Sequence, residues 1–527
     1  MTFSGFPERA AMTETASSNR LARWMAILAP VAVYLIAAGT GLWGIDYGEH
    51  WDEWLNLYKI SQTVKTNVLL PHWYDYPAMI YWMSLLALAP SVPASLRSES
   101  VSLLAIAESQ TYLIWNRVLF VLVSSLAVVW VYLAVLAWRK RRGEAAFAAA
   151  LLGFSWEFAY HSRFVAPDAV MLQFGALALL GLVMAALRPE DRRWGRLAAV
   201  FCGLATATKY TAGVLIIPLL VVTALAWDRR SIGRLLVRLA EAAALFGFTY
   251  LVITPGTIIE PAVFVTSLRQ VSSMYLGGHE MHTVAPGWEH FSRLLGYFTL
   301  EGFSHFRLLA AAAFALALAG TAALIRDSRR LALALLSFPL LFLAYFVLQG
   351  RVMIVRNVII VLPFLAVLAA RGLGLAWDAL KDPRLRTALA AAAAALLVAN
   401  AGWLAYAANT ITGRGSDRFL RDFAAYADRR PQRAIFISGD LLADLEGLDG
   451  ELPPNITLSP DGADEAAFYA LPALGCLPAN RALLPLRWFG PYEVNLRYYP
   501  NWPGDDHIVV MPVRAIEQAG MSGCLGW

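Results

Sequence analysis

The chain has 527 residues, of which 58% are hydrophobic and only 15% charged, and its mean hydropathy is +0.54. Soluble domains carry about a quarter charged residues, so this composition excludes a soluble globular protein and indicates a polytopic membrane protein. The net charge of +5 does not point to nucleic acid, because the basic residues cluster in short loops between apolar runs, where lipid topology accounts for them.

The first apolar run, Trp24 to Trp43, contains no charged side chain. At 1.5 Å per residue, about 20 residues cross a hydrocarbon core roughly 30 Å thick. The run exceeds the apolar region of a signal peptide and leads into an acidic motif rather than a processing site, so a retained span is expected. The motif is His50-Trp51-Asp52-Glu53-Trp54-Leu55-Asn56-Leu57-Tyr58-Lys59. If residues 51 to 63 form a helix, Trp51, Leu55 and Tyr58 share one face and Asp52, Asn56, Lys59 and Thr63 the neighbouring one. Such a helix lies in the interface with its aromatic side down and offers a carboxylate to a cavity. The alternative is a solvated acidic pair in a loop, the reading also given to Asp46, Glu49 and Asp75.

Further apolar runs follow at about 111 to 137, 145 to 160, 168 to 187, 197 to 211, 212 to 227, 235 to 254, 306 to 325, 331 to 348, 353 to 370 and 387 to 407, giving about eleven spans in all. Basic clusters recur after alternate spans, beginning with Arg139-Lys140-Arg141-Arg142. Placing them in the cytoplasm sets the N-terminus inside and the C-terminus outside. The acidic motif, residues 160 to 168 and the connection 255 to 305 then gather on one outer face. Residues 77 to 90 are apolar but short, and read as a helix along or dipping into the outer leaflet.

The expected organisation is a cytoplasmic tail over 1–22, a transmembrane domain over 23–407 and an exoplasmic domain over 408–527. The last turns polar, with strand-like runs at Ala434-Ile435-Phe436-Ile437 and His507-Ile508-Val509-Val510-Met511. It reads as a small α/β domain of roughly 120 residues, enough to bury a core. Asn455-Ile456-Thr457 fits a glycosylation acceptor, a short pattern of little weight. If the region is exported, Cys476 and Cys524 can form a disulfide where geometry allows.

Several motifs line up on the outer face: the acidic pair, Pro71-His72-Trp73-Tyr74-Asp75-Tyr76-Pro77 before the short aromatic helix, and His161-Ser162-Arg163-Phe164-Val165-Ala166-Pro167-Asp168 capping a span. Thr208-Lys209-Tyr210, Tyr275-Leu276-Gly277-Gly278-His279 and Arg356-Asn357-Val358-Ile359-Ile360-Val361-Leu362-Pro363 follow. In this order they resemble the membrane glycosyltransferases of the GT-C superfamily, in the branch of the protein O-mannosyltransferases and lipid A aminoarabinose transferases, over about residues 24 to 375. Tyr76-Pro77-Ala78 stands where family members often carry Lys-Pro-Pro or Pro-Pro.

The resemblance implies an all-α polytopic enzyme of the inner or plasma membrane that moves a sugar from a polyprenyl-phosphate donor to a protein, lipid or glycan acceptor on the outer face, with inversion. It assigns the general base to Asp52, with Glu53 orienting a neighbour or binding acceptor. The departing phosphate needs positive charge in a partly dehydrated site. Arg163, Lys209 and Arg356 are the candidates, with Asp168 the expected partner of Arg163; structural or snorkelling ion pairs are the alternative. His72, Tyr76, Asp168 and His279 are assigned to substrate. No cofactor is assigned, and a divalent cation on the outer histidines and carboxylates stays open. The rival readings are a transporter or lipid flippase, or a non-catalytic subunit of a glycan-assembly complex. A transporter buries its charges near the bilayer midplane and often shows paired halves, whereas these motifs sit at one interface.

Overall fold

The computed structural model describes residues 28–45, 53–97, 102–227, 231–279, 282–411, 416–437, 445, 452–458, 468–472, 487–489 and 508–512. Within the described residues each apolar run is mainly helical. Among the described residues seven helices are long and apolar enough to cross a membrane: Gln110–Arg139, Pro167–Leu187, Ile232–Ile253, Arg307–Asp327, Arg329–Gln349, Ile359–Ala379 and Pro383–Ala408. The chain is an integral, multi-pass membrane protein. The other expected spans are shorter helices, Leu28–Leu42, Arg142–Gly153, Arg192–Thr206 and Tyr210–Leu225.

The chain divides into two compact units, one of Met1–Leu42 with Lys59–Leu404, the other of Trp43–Tyr58 with Ala405–Trp527. Within the first, Pro167–Leu187 is the central helix, packed on Gln110–Arg139 and Arg192–Thr206 and buried along most of its length. Outer helices expose Phe248, Leu308 and Val398, as lipid-facing surfaces do. Helices Arg307–Asp327 and Leu362–Ala379 touch backbone to backbone. A Cβ on Gly320 would stand 1.8 Å from the Leu368 carbonyl oxygen, and one on Gly372 2.0 Å from that of Leu316. Since lipid tails are as apolar as leucine, close packing of small residues is what holds membrane helices together.

The short aromatic helix is Met79–Leu88, and one side of it packs into the bundle while Leu86 is exposed. Met79, Ile80, Tyr81, Met83, Ser84 and Leu88 are buried. The Met79 N–H donates to the Ala207 carbonyl (3.1 Å), Trp82 Nε1 to the Ile253 carbonyl (2.7 Å), and Tyr112 to the Ser84 carbonyl (2.8 Å). In a low-dielectric interior such bonds fix position, because no water competes for them.

In the second unit, strands β1 (Ile435–Ile437), β2 (Ile456–Leu458), β3 (Phe468–Pro472), β4 (Arg487–Phe489) and β5 (Ile508–Pro512) form a sheet of order β2-β1-β3-β5-β4. β1 runs parallel to β2 and β3, while β5 is antiparallel to β3 and β4. Phe423 and Ala427 of the helix Ser416–Asp428 join Ile435, Ile437 and Val510 in its core. Asn455 is no free glycosylation acceptor. Its side chain is buried, and Nδ2 donates to the carbonyls of Ala427, Arg430 and Arg433, each at 3.0 Å. Cys476 and Cys524 lie outside the described residues.

Candidate functional site

Three breaks in the helical pattern of the first unit supply one buried polar cluster. Pro167 opens its helix, where the missing N–H costs nothing, and puts Asp168 in the first turn, where the helix dipole favours an anion. Lys209 is extended between the helix Arg192–Thr206 and the turn that begins at Tyr210. Arg356 and Asn357 lie in the 3₁₀ turn Val355–Asn357 ahead of the helix Leu362–Ala379.

Lys209 Nζ donates to Asp168 Oδ1 at 2.6 Å and to Asn357 Oδ1 at 2.6 Å. Tyr275 also donates to Asn357 Oδ1 (3.3 Å), and the Tyr76 ring lies 5.5 Å from Lys209 Nζ, within cation–π range. Arg356 Nε stands 3.9 Å from Asp168 Oδ2, an ion pair held beyond hydrogen-bond distance. Asp168 is 1% exposed, Lys209 3%, Asn357 1% and Arg356 7%. Two cations thus face one carboxylate in a site with little solvent, where charge interactions are far stronger than in water. Asp168 Oδ2 and Asn357 Nδ2 have no hydrogen-bond partner among the described residues. Among the described residues the cluster holds two cations to one carboxylate and an amide donor without a hydrogen-bond partner, a set that suits an anion.

Arg163 does not join the cluster as expected. It is buried, and Nη2 donates to the Thr40 carbonyl at 2.5 Å, near the end of the helix Leu28–Leu42, while Asp168 pairs with Lys209 and Arg356 instead. His161 is buried as well, its Nε2 3.8 Å from Glu157 Oε2.

His279 lies beside the 351–353 segment that leads into Arg356. Its ring is 5.7 Å from that of His282, and the His282 carbonyl accepts from the Met353 N–H (2.9 Å). Gly278 makes this turn at φ +105°, where a Cβ would meet Thr283 Oγ1 at 2.8 Å. Burial, with His279 and Arg356 nearby, pushes the His282 imidazole down to about 4, so it is neutral at pH 7.

His72, at φ 52°, belongs to a second cluster. Its Nδ1 and the Tyr74 hydroxyl both meet the Glu260 carboxylate, the latter at 2.7 Å. Gly256 makes room for Tyr74, whose oxygen would be 1.7 Å from a Cβ there. Asp75 is ion-paired with the buried Lys59, not solvated as the sequence suggested. Tyr210 donates to the Tyr74 carbonyl at 2.8 Å, which ties this loop to the residue after Lys209.

Asp52 lies outside the described residues, as do Asp46 and Glu49. Glu53 opens the helix Glu53–Thr66. Along it Glu53, Asn56, Lys59 and Thr63 are buried, while Trp54 and Tyr58 are exposed. The polar face is inside and the aromatic face outside. Among the described residues no three His, Cys, Asp or Glu side chains group as ligands for a metal ion. Sequence reasoning passed over Asn357, Tyr275 and Glu260. Asn357 and Tyr275 sat inside quoted motifs, whereas nothing local set Glu260 apart from other loop acids.

Residues 103–253 match the sequence profile of the dolichyl-phosphate-mannose-protein mannosyltransferase family. Over that stretch, under a third of the chain, the protein is similar to that family. The match spans two members of the cluster, Asp168 and Lys209. No curated protein matches the chain. Among solved structures, this chain is similar to ArnT from Cupriavidus metallidurans in the apo state, at 16% identity and a TM-score of 0.48, over 86% of this chain and 93% of that one. The same protein bound to undecaprenyl phosphate gives 16% and 0.45, over 92% and 97%. An Archaeoglobus fulgidus oligosaccharyltransferase tethered with an acceptor peptide gives 14% and 0.47, over 79% and 62%.

Proposed function

We propose that this protein is an integral-membrane glycosyltransferase that moves a sugar from a polyprenyl-phosphate-linked donor to a hydroxyl acceptor at the outer face of the membrane, with inversion. The observation that carries the reading is the buried cluster in which Lys209 and Arg356 both face Asp168 and Lys209 also reaches Asn357.

In the reaction, the acceptor oxygen attacks the anomeric carbon as the bond from that carbon to the phosphate oxygen breaks. The bonding pair leaves with the phosphate, and the acceptor proton passes to the carboxylate of Asp52, the general base. Glu53 orients that carboxylate or the acceptor. Negative charge grows on the departing phosphate, and Lys209 and Arg356 stabilise it there, aided by the Asn357 amide. Asp168 holds Lys209 in place and prevents the two cations from repelling each other. Tyr76, His279 and His72 line the approach to the sugar, and Arg163 braces the outer end of the first helix near the donor site. The acceptor class is protein, lipid or glycan.

The test is mass spectrometry of the lipid that copurifies with the full chain in mild detergent. A polyprenyl phosphate or its glycosylated form is expected, retained several-fold less by Lys209→Gln. Retention of bulk phospholipid alone, unaltered in that variant, overturns the proposal.

A further inference from the structure

A cavity lies at the end of the helical bundle remote from Asp168. Its volume is about 610 Å³, and Phe147, Ala150, Leu373, Ala393, Ala394 and Leu397 form its apolar wall. The helix Leu362–Ala379 measures the separation. Arg356 and Asn357 precede its first turn and Asp378, at the cavity mouth, is in its last; about 20 residues at 1.5 Å each make roughly 30 Å.

The mouth is a built collar of charge. Glu144, 6% exposed, accepts from Arg139 Nε (2.9 Å) and Arg141 Nη1 (3.1 Å). Arg141 Nη1 also reaches both oxygens of Asp378, at 2.8 and 2.9 Å, and Arg371 donates to Asp327 at 2.7 Å. Gly374 lets Glu144 approach closely, since a Cβ would come within 2.2 Å of Glu144 Oε1. Arg139, Arg141 and Arg371 thus balance Glu144, Asp327 and Asp378. Lys140, in the left-handed conformation at φ 59°, and Arg142 flank Arg141 in the chain without lining the cavity themselves. Neither has an ion-pair partner among the described residues, and Nε and Nη2 of Arg141 make no hydrogen bond there. Trp377 also lines the cavity and is 39% exposed, with Arg386 over its ring at 5.8 Å. Tryptophan beside basic side chains marks the level of lipid headgroups.

We propose that this cleft is a binding site for an anionic glycerophospholipid, with an acyl chain between the helices, the phosphate on Arg141 at the mouth, and the flanking Lys140 and Arg142 adding positive charge beside it. The volume falls in the range of roughly 300–1,000 Å³ usual for a ligand pocket. An acyl chain gains little by exchanging lipid for an apolar protein wall, so selection comes from the headgroup. Basic pockets between membrane helices bind anionic headgroups. A zwitterionic lipid finds no spare carboxylate for its ammonium, because Glu144 and Asp378 are both committed to arginines. This site is independent of the transfer chemistry above.

The experiment is native mass spectrometry of the full chain in detergent, titrated with phosphatidylglycerol or phosphatidylethanolamine of matched acyl chains. Phosphatidylglycerol is expected to be retained at least threefold more. Ala394→Phe, which fills the cleft, and the double variant K140S/R142S, which alters only the charge flanking Arg141, are each expected to remove that preference. Equal retention of the two lipids, or a preference unchanged in K140S/R142S, overturns the proposal. So does displacement of phosphatidylglycerol by equimolar undecaprenyl phosphate, which would assign the cleft to the polyprenyl carrier. Should Ala394→Phe fail to fold, K140S/R142S decides alone.

Discussion

Lys209 Nζ lies 2.6 Å from Asp168 Oδ1, with both side chains almost fully buried. Breaking such a pair strands a charge, at a cost of about 3–5 kcal/mol, whereas replacing both partners by apolar groups is often neutral. Lys209→Met should therefore lower the melting temperature in detergent markedly, and D168L/K209M should recover much of the loss. Transfer activity should be absent from both. A double variant as active as the wild type would make the pair purely structural.

His282 supplies a pH dependence. Its imidazole sits at about 4 in the folded protein against about 6.5 unfolded, so between those values the unfolded chain binds more protons. Stability from this group is complete above about pH 6.5 and declines as pH falls toward 4. Melting curves between pH 7.5 and 5 should fall less steeply for His282→Gln than for the wild type. Parallel slopes would contradict the burial argument.

The helices were legible because runs of apolar residues leave few alternatives in a bilayer. Asp168, Lys209 and Arg356 were legible too, as charges at the ends of such runs. Which charge pairs with which was not. Arg163 and Asp168 look like partners along one helix, but Pro167 starts a new helix between them and separates their directions. Likewise Asp75 reads as a loop acid until folding brings it to Lys59, sixteen residues away in sequence. The burial of Met79–Leu88 depends on acceptors at Ala207 and Ile253, which no local pattern reveals.

Backbone contact at Gly320 gives a stability test. Gly320→Ala places a methyl 1.8 Å from the Leu368 carbonyl oxygen, so helices Arg307–Asp327 and Leu362–Ala379 must separate. Overpacking of this kind costs about 1–3 kcal/mol, and a clear fall in melting temperature is expected. Gly296→Ala, where a Cβ meets nothing within 4 Å, is the control and should melt like the wild type.

The outer-face reading can be tested by labelling. Glu53 is too buried to serve, whereas the Lys65 side chain is 45% exposed. In a variant carrying Lys65→Cys with Cys202, Cys476 and Cys524 each replaced by Ser, a membrane-impermeant maleimide should label intact cells from outside. Labelling only after the membrane is opened would reverse the threading.

The central claim is that Asp52 takes the acceptor proton while Lys209 and Arg356 stabilise the leaving phosphate. The most direct measurement is single-turnover release of polyprenyl phosphate from a synthetic polyprenyl-phosphate sugar, comparing purified wild type with Asp52→Asn and Arg356→Gln. A loss of about 10²-fold or more is expected for each, with Asp52→Asn still binding donor and Arg356→Gln binding it more weakly. Wild-type turnover in Asp52→Asn, or unchanged donor affinity and rate in Arg356→Gln, would contradict the account.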